Sequence, residues 1–302
     1  MVYFFSDNLK CPERFEKYNP KVISFKDVVD DKKNIIIAPE AGTWVFRNYK
    51  KLRKSVWWLS YNNFDGLTGF SKALHSKIKN FIKFFLNLFL SKDNKYKYDG
   101  AYPDKLLKGV CHFCGSKYAY SKLIERRYEN VEMLVEPLSL EYIKAGMSKD
   151  LTTQNRSDKI PYNPAKPSRI MEMLLKRDDL EFVPIKNMEI SEIIELFRNT
   201  KLYIDFGEFP GPERLPKESV YNGTCLIVGK RNAAENDFDV AIPDKFKIVD
   251  YENEELVVEN IKEVLANYDK YIDEFEYFRN KIDNLENNFI NSICKVFVKI
   301  SE

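Results

Sequence analysis

The chain has 302 residues, 44% of them apolar and 31% charged, with a formal net charge of only +2. The length suggests two domains of about 150 residues, each with a proper core, and the near-balanced charge gives no global electrostatic case for a nucleic-acid partner. The opening apolar run stops at Ser6, Asp7 and Asn8, so no secretory signal is read; the dense apolar stretch at 81–90 is too short and interrupted to span a bilayer, and the cytoplasm is the expected location.

The N-terminal half carries short apolar runs at 2–5, 22–25, 35–38, 56–59, 110–113 and 133–135. Most are continuous rather than alternating, the pattern of strands buried on both faces of a parallel sheet. A crossover helix is expected over 116–128, with Ser116 as its N-cap. Cys111 and Cys114 form a CxxC, but the only histidines are His75 and His112 and no second CxxC exists. The pair therefore reads as small apolar residues of a buried strand rather than as half a zinc site. His112 reads as a satisfied core residue, with a general base as its alternative.

Residues 70–92 (FSKALHSKIKNFIKFFLNLFLSK) place Phe70, Leu74, Ile78, Phe81, Ile82, Phe85, Leu88 and Phe89 on one helical face. Lys72, Lys77, Lys79, Lys83 and Lys92 lie largely elsewhere. A basic amphipathic helix of this kind can lie in the headgroup layer of an anionic membrane; the alternative is a helix packed on its domain with the lysines in water.

Residues 145–157 are polar and aperiodic and are read as an interdomain linker, giving domains at 1–150 and 151–302. Beyond it, strands at 159–162, 181–184, 202–206 and 225–228 alternate with helices at 167–177, 191–199 and 217–222. This is a second doubly wound unit. The tail over 252–300 has helical spacing almost throughout, with a break near Asn267, and is long enough to cross back to the first domain; a coiled-coil partner is the alternative.

Residues 201–243 carry the most information. The strand 202–206 runs into a loop holding Gly207, Pro210, Gly211 and Pro212, followed by Glu213, Arg214, Lys217 and Glu218. Open parallel sheets bind ligands beyond the carboxyl ends of their strands. Backbone N–H groups, a helix start, a cation and a carboxylate at that end suit a diphosphate joined to a ribose.

YIDFGEFPGPERLPKESVYNG resembles the donor-domain signature of bacterial cell-surface polysaccharide (capsule and lipooligosaccharide) glycosyltransferases of the GT-B fold. IPYNPAK at 160–166 is similar to the opening of their second domain; IIIAPE, VWWLSYNN and HFCGSKYAYSKL are similar to segments of their first. The resemblance implies an α/β GT-B architecture, two Rossmann-like domains facing a cleft, with a C-terminal helical tail. It implies transfer of a sugar from a nucleotide sugar to a cell-surface glycan or lipid-linked acceptor, with no cofactor and no bound metal. Members of the family often carry two glutamates eight positions apart; here Glu218 fits the second, and Pro210 stands at the first. A non-catalytic GT-B-like subunit that binds a partner enzyme or a membrane is the alternative.

Charge develops on the leaving diphosphate, so Arg214 and Lys166 are the candidate cations that stabilise it. Glu218, read at the start of its helix, is the candidate ribose ligand. Glu213, Gly207, Gly211, Arg169 and Asn163 complete the expected donor site, the glycines through positive φ or close backbone approach. Glu40, closing the strand 35–38, is the candidate general base of the first domain, with Asp65 as runner-up.

Overall fold

The computed structural model describes residues 27–68, 104–146 and 156–301, together with short pieces before residue 27 and scattered residues between 78 and 89. Strands β1 (Tyr3–Phe5) and β2 (Lys21–Ile23) form a separate parallel pair. The first main sheet contains β3 (Ile35–Pro39), β4 (Arg53–Trp58), β5 (Cys111–Cys114) and β6 (Val131–Met133), in that spatial order and all parallel. The second contains β7 (Ile160–Tyr162), β8 (Phe182–Pro184), β9 (Leu202–Asp205), β10 (Cys225–Gly229) and β11 (Lys247–Ile248), ordered β11-β10-β9-β7-β8 and also parallel. Every residue of β9 and β10 is buried, which is why those runs are apolar without alternation.

Nine helices are used below: α1 (Tyr61–Thr68), α2 (Lys117–Glu125), α3 (Leu140–Gly146), α4 (Arg169–Leu174), α5 (Ile190–Arg198), α6 (Arg214–Tyr221), α7 (Glu254–Ala266), α8 (Glu276–Asp283) and α9 (Leu285–Ser301). Local chemistry sets several starts. The Ser116 hydroxyl accepts from the Ala119 N–H at 3.1 Å and caps α2; Ser168 does the same for α4. Asn253 caps α7, which ends at Asn267, the predicted break.

The two sheets have separate cores. The first gathers Ile36, Phe46, Val56, Trp58, Phe64 and Leu123. The second gathers residues from Leu138 to Leu285 around β9 and β10. Two segments cross between the lobes. Leu138 and Tyr142 already belong to the second core, so α3, which the expected boundary at residue 150 puts in the first domain, packs on the second lobe. In the other direction, α9 returns to the first lobe. Phe289, Ile293 and Val296 pack with Phe113 and Leu134, and Phe289 stacks on Trp57 with ring centroids 6.2 Å apart.

The polar stretch 145–157 is not linker throughout. Arg156 is buried, with its guanidinium donating to the carbonyls of Phe197, Thr200 and Asn222. Three carbonyl acceptors meet the desolvation cost of the charge, and they pin the start of the second lobe. Residues 147–155 lie outside the described residues. So does most of the amphipathic segment 70–92; where it is described, Phe81, Ile82, Phe85 and Phe89 are helical and exposed. Among the described residues, no helix is long and apolar enough to cross a membrane.

The CxxC lies on β5, and its two cysteines pack into different clusters, Cys114 in the first core and Cys111 beside Phe113 and Val296. Alternation along a strand sends residues three apart to opposite faces, so the pair does not converge on one ligand. His112 is fully buried. The Trp58 Nε1–H donates to its Nδ1 at 3.0 Å, so the ring proton sits on Nε2 and faces the Leu107 carbonyl at 2.8 Å.

Burial holds the His112 pKa down to about 4. The unfolded chain, with an ordinary histidine near 6.5, takes up the proton first as pH falls. Stability from this residue is therefore complete above about pH 6.5 and is lost as pH drops toward 4, by up to about 3 kcal/mol. Urea unfolding across that window should show a shallower acid slope in His112→Gln than in the wild type.

Candidate functional site

The second sheet has its topological switch between β7 and β9, since the chain runs from β7 outward to β8 and then back to the other side. In open parallel sheets this is where ligands bind, beyond the carboxyl ends. Four residues of the expected donor site meet there. Asn163 follows β7; its side chain accepts from the Ala165 N–H and its carbonyl from the Lys166 N–H. That turn brings Lys166 over the end of β9. The Lys166 ammonium lies 3.3 Å from Asp205 Oδ2 and 2.5 Å from Glu213 Oε2. It also sits 4.5 Å from the centre of the Phe209 ring.

Asp205 is the fixed point of this cluster. Its carboxylate accepts from the Gly207 N–H, the Tyr203 hydroxyl and Lys166, while burial raises its pKa. Burial raises the pKa of Glu213 as well, against the opposing pull of Lys166. Sequence reading passed over Asp205 as part of an apolar strand. Its place directly before the Gly207 turn was the available signal.

The start of α6 differs from expectation. The helix begins at Arg214, not Lys217, so Glu218 stands in its second turn. Arg214 is exposed and pairs with Glu218 at 3.2 Å. Glu218 itself is buried and also takes the Tyr142 hydroxyl from α3. Burial raises its pKa, with Arg214 and Tyr142 opposing the rise. Arg169 is exposed on the first turn of α4.

Neither loop glycine has a positive φ; among the described glycines only Gly223 does, at 86°. Close approach is their reason instead. A Cβ at Gly207 would fall 2.4 Å from the Lys166 Cβ. A Cβ at Gly211 would fall 2.1 Å from the Leu59 carbonyl oxygen, in the other lobe. The same loop offers the Pro210 carbonyl to the Tyr61 N–H at 2.9 Å and lays Pro212 on Gly115. Leu59 and Gly115 follow the carboxyl ends of β4 and β5, so the two sheets turn those ends toward each other with the loop 207–213 between them.

Glu40 is not brought to that cluster. It is buried after β3, and its Oε2 accepts from the Leu59 N–H at 2.9 Å. The carboxylate fixes the Leu59–Ser60 turn against which Gly211 packs, a positioning task rather than an open base. Burial raises its pKa; the backbone N–H groups of Leu59, Glu40 and Ser60 pull the other way. The side chain of Asp65 lies outside the described residues.

Behind the loop lies a cavity of about 380 Å³ with walls from both lobes. Gly115, Met133 and Val135 come from the first sheet's ends, Pro212, Glu213 and Lys217 from the loop and α6, and the rest from residues 238–239 and helices α8 and α9. Asp239 joins the lobes at its edge by accepting from the N–H groups of Lys117 and Tyr118 at the start of α2, at 2.7 and 2.9 Å. Neither Asp239 nor a role for Lys217 was legible in the sequence, because both depend on which lobe each residue faces.

Gly211→Ala should force the loop off Leu59 and cost about 1–3 kcal/mol. Gly109→Ala, where an added Cβ meets nothing within 4 Å, should be near neutral. Parallel denaturant curves check the contrast.

No protein-family model matches the chain, and no curated protein matches it. Solved structures do. S. aureus TarM, determined in complex with UDP, fondaparinux and alpha-GlcNAc-glycerol, superposes with a TM-score of 0.55 at 11% identity, over 92% of this chain and 57% of that one. Sucrose-phosphate synthase from Thermosynechococcus elongatus gives 0.57 at 9% identity, over 95% of this chain and 75% of the other. The chain thus spans little more than half the length of TarM. At these identities the likeness is one of fold, and that fold, two parallel α/β lobes facing each other with a helical tail crossing back, is GT-B.

Proposed function

We propose that the chain is a nucleotide-sugar-dependent glycosyltransferase acting on a cell-surface glycan or a lipid-linked saccharide. The observation that carries this is the gathering of Lys166, Asp205, Gly207 and Glu213 at the switch point of a GT-B second lobe, facing the first. TarM, of the same fold, was determined with UDP bound, and a second neighbour is a sucrose-phosphate synthase.

In this reading the donor diphosphate takes Lys166 from Glu213. Glu213 stands on the loop and is the partner able to swing, whereas Asp205 ends a strand and stays. Lys166 and Arg214 then bear the negative charge that develops on the leaving diphosphate, a task assigned to them rather than to a metal. Arg214 is pre-aimed by its pair with Glu218. The Glu218 carboxylate, in turn, exchanges the Tyr142 hydroxyl for hydroxyls of the ribose. Glu40 acts at one remove, by holding the Leu59–Ser60 turn.

A non-catalytic GT-B-like subunit is the second reading, and one observation favours it. Lys166, Arg214, Glu213 and Glu218 are all satisfied by one another or by Tyr142, so a donor must displace existing contacts.

The test is a melting-temperature screen with UDP, GDP, ADP and their common sugar conjugates, followed by a donor-hydrolysis assay. A binding partner at a hundredfold its Kd adds about 2.7 kcal/mol, enough for a shift of several degrees. The shift should disappear in Glu218→Ala and in Lys166→Ala. A flat response across the panel from well-folded protein would sink the proposal; binding without hydrolysis or transfer would favour the second reading.

A further inference from the structure

The cavity behind the loop holds a charge with no counterpart. Lys217 is only 5% exposed, a rare state for a lysine that is not paired. Among the described residues its ammonium makes no hydrogen bond and no ion pair. The carboxylates it feels, Glu136, Asp239 and Glu218, act at longer range, and burial lowers its pKa. Of the other charged residues lining the cavity, Lys295 is exposed on α9 and the rest are engaged. Glu213 is held by Lys166. Asp239 is filled by two backbone N–H groups and the Asn236 amide. Lys281 donates to the carbonyls of Asp237 and Phe238 and lies 4.2 Å from the Phe238 ring centre.

Opposite Lys217 the walls are largely apolar, with Val135, Phe278, Ile282, Leu285 and Phe289, while Asn288, Asn291, Ser292 and Lys295 of α9 add polar edges. The volume of about 380 Å³ lies within the roughly 300–1,000 Å³ of small-molecule sites. Of the donor-site residues, Glu213 lines this cavity as well, whereas Lys166, Arg214 and Glu218 do not. We infer that this interlobe cavity binds an amphipathic anion, one carboxylate or phosphate carried on an apolar body, with Lys217 as the counter-ion of the headgroup. A lysine this deeply placed with no protein partner carries a desolvation cost; an anion inside the cavity supplies a partner, and its apolar part covers the aromatic wall. The inference stands whether or not the protein transfers sugar.

Calorimetric titration of the full chain with decanoate, decyl phosphate and decanol, each below its micelle concentration, tests it. The wild type should bind at least one anion saturably, one per chain, and at least tenfold more tightly than decanol; whichever anion binds more tightly names the headgroup. Lys217→Met should reduce that anion to the level of decanol, and Lys217→Arg should keep the preference. Ser292→Trp, which fills the cavity from α9, should weaken all three ligands. Equal binding of decanol and both anions, a preference that survives Lys217→Met, unchanged binding in Ser292→Trp, or no saturable binding of either anion would overturn it.

Discussion

The contact between Gly211 and the Leu59 carbonyl is the constraint on which the arrangement of the two lobes depends. It brings backbone against backbone, with room for no side chain. One residue earlier, the Pro210 carbonyl accepts from the Tyr61 N–H; one residue later, Pro212 covers Gly115. The prolines limit the loop's backbone freedom, so less entropy is lost in holding it across the gap. Glu40 and Asp239 support the same joint from either side, one by bonding the Leu59 N–H and the other by reaching from the second lobe to the start of α2.

This joint also sets the electrostatics. The joint places the half-buried Glu213 beside the buried Asp205, two carboxylates sharing Lys166. Desolvation raises both pKa values, so the cluster favours holding a proton or accepting further positive charge. An arriving diphosphate is opposed by those carboxylates and attracted by Lys166, and the balance turns on whether Glu213 leaves. The same segment therefore makes the interlobe contact and controls access to the cation.

Much of the architecture could be read from the chain because burial on both faces leaves an unbroken apolar run. β5, β7, β9 and β10 fall on such runs, and β3 falls on one although its residues alternate between buried and exposed; the tail's apolar stripe left a return to the first lobe and a coiled-coil partner both open, and Phe289 and Val296 make the return. Boundaries were less legible where polar residues are satisfied internally. Arg156 looked like linker because its three carbonyl partners lie far along the chain. The helix expected from residue 217 starts at Arg214, three residues earlier, with Pro216 in its first turn, where proline is tolerated. At the site, the spacing of Lys166, Gly207, Glu213 and Glu218 was visible. Their partners were not, since Asp205, Tyr142 and Asp239 acquire their meaning only when the lobes meet.

The crossing of α9 has a consequence for how the polypeptide matures. Phe113 and Leu134 leave the ribosome long before Phe289, Ile293 and Val296, which cover them in the finished molecule. During translation the first lobe therefore carries an uncovered apolar surface, which only the emergence of a segment encoded far downstream can close. Such a nascent chain is a natural client for chaperones, and premature termination before residue 289 would leave that surface permanently open.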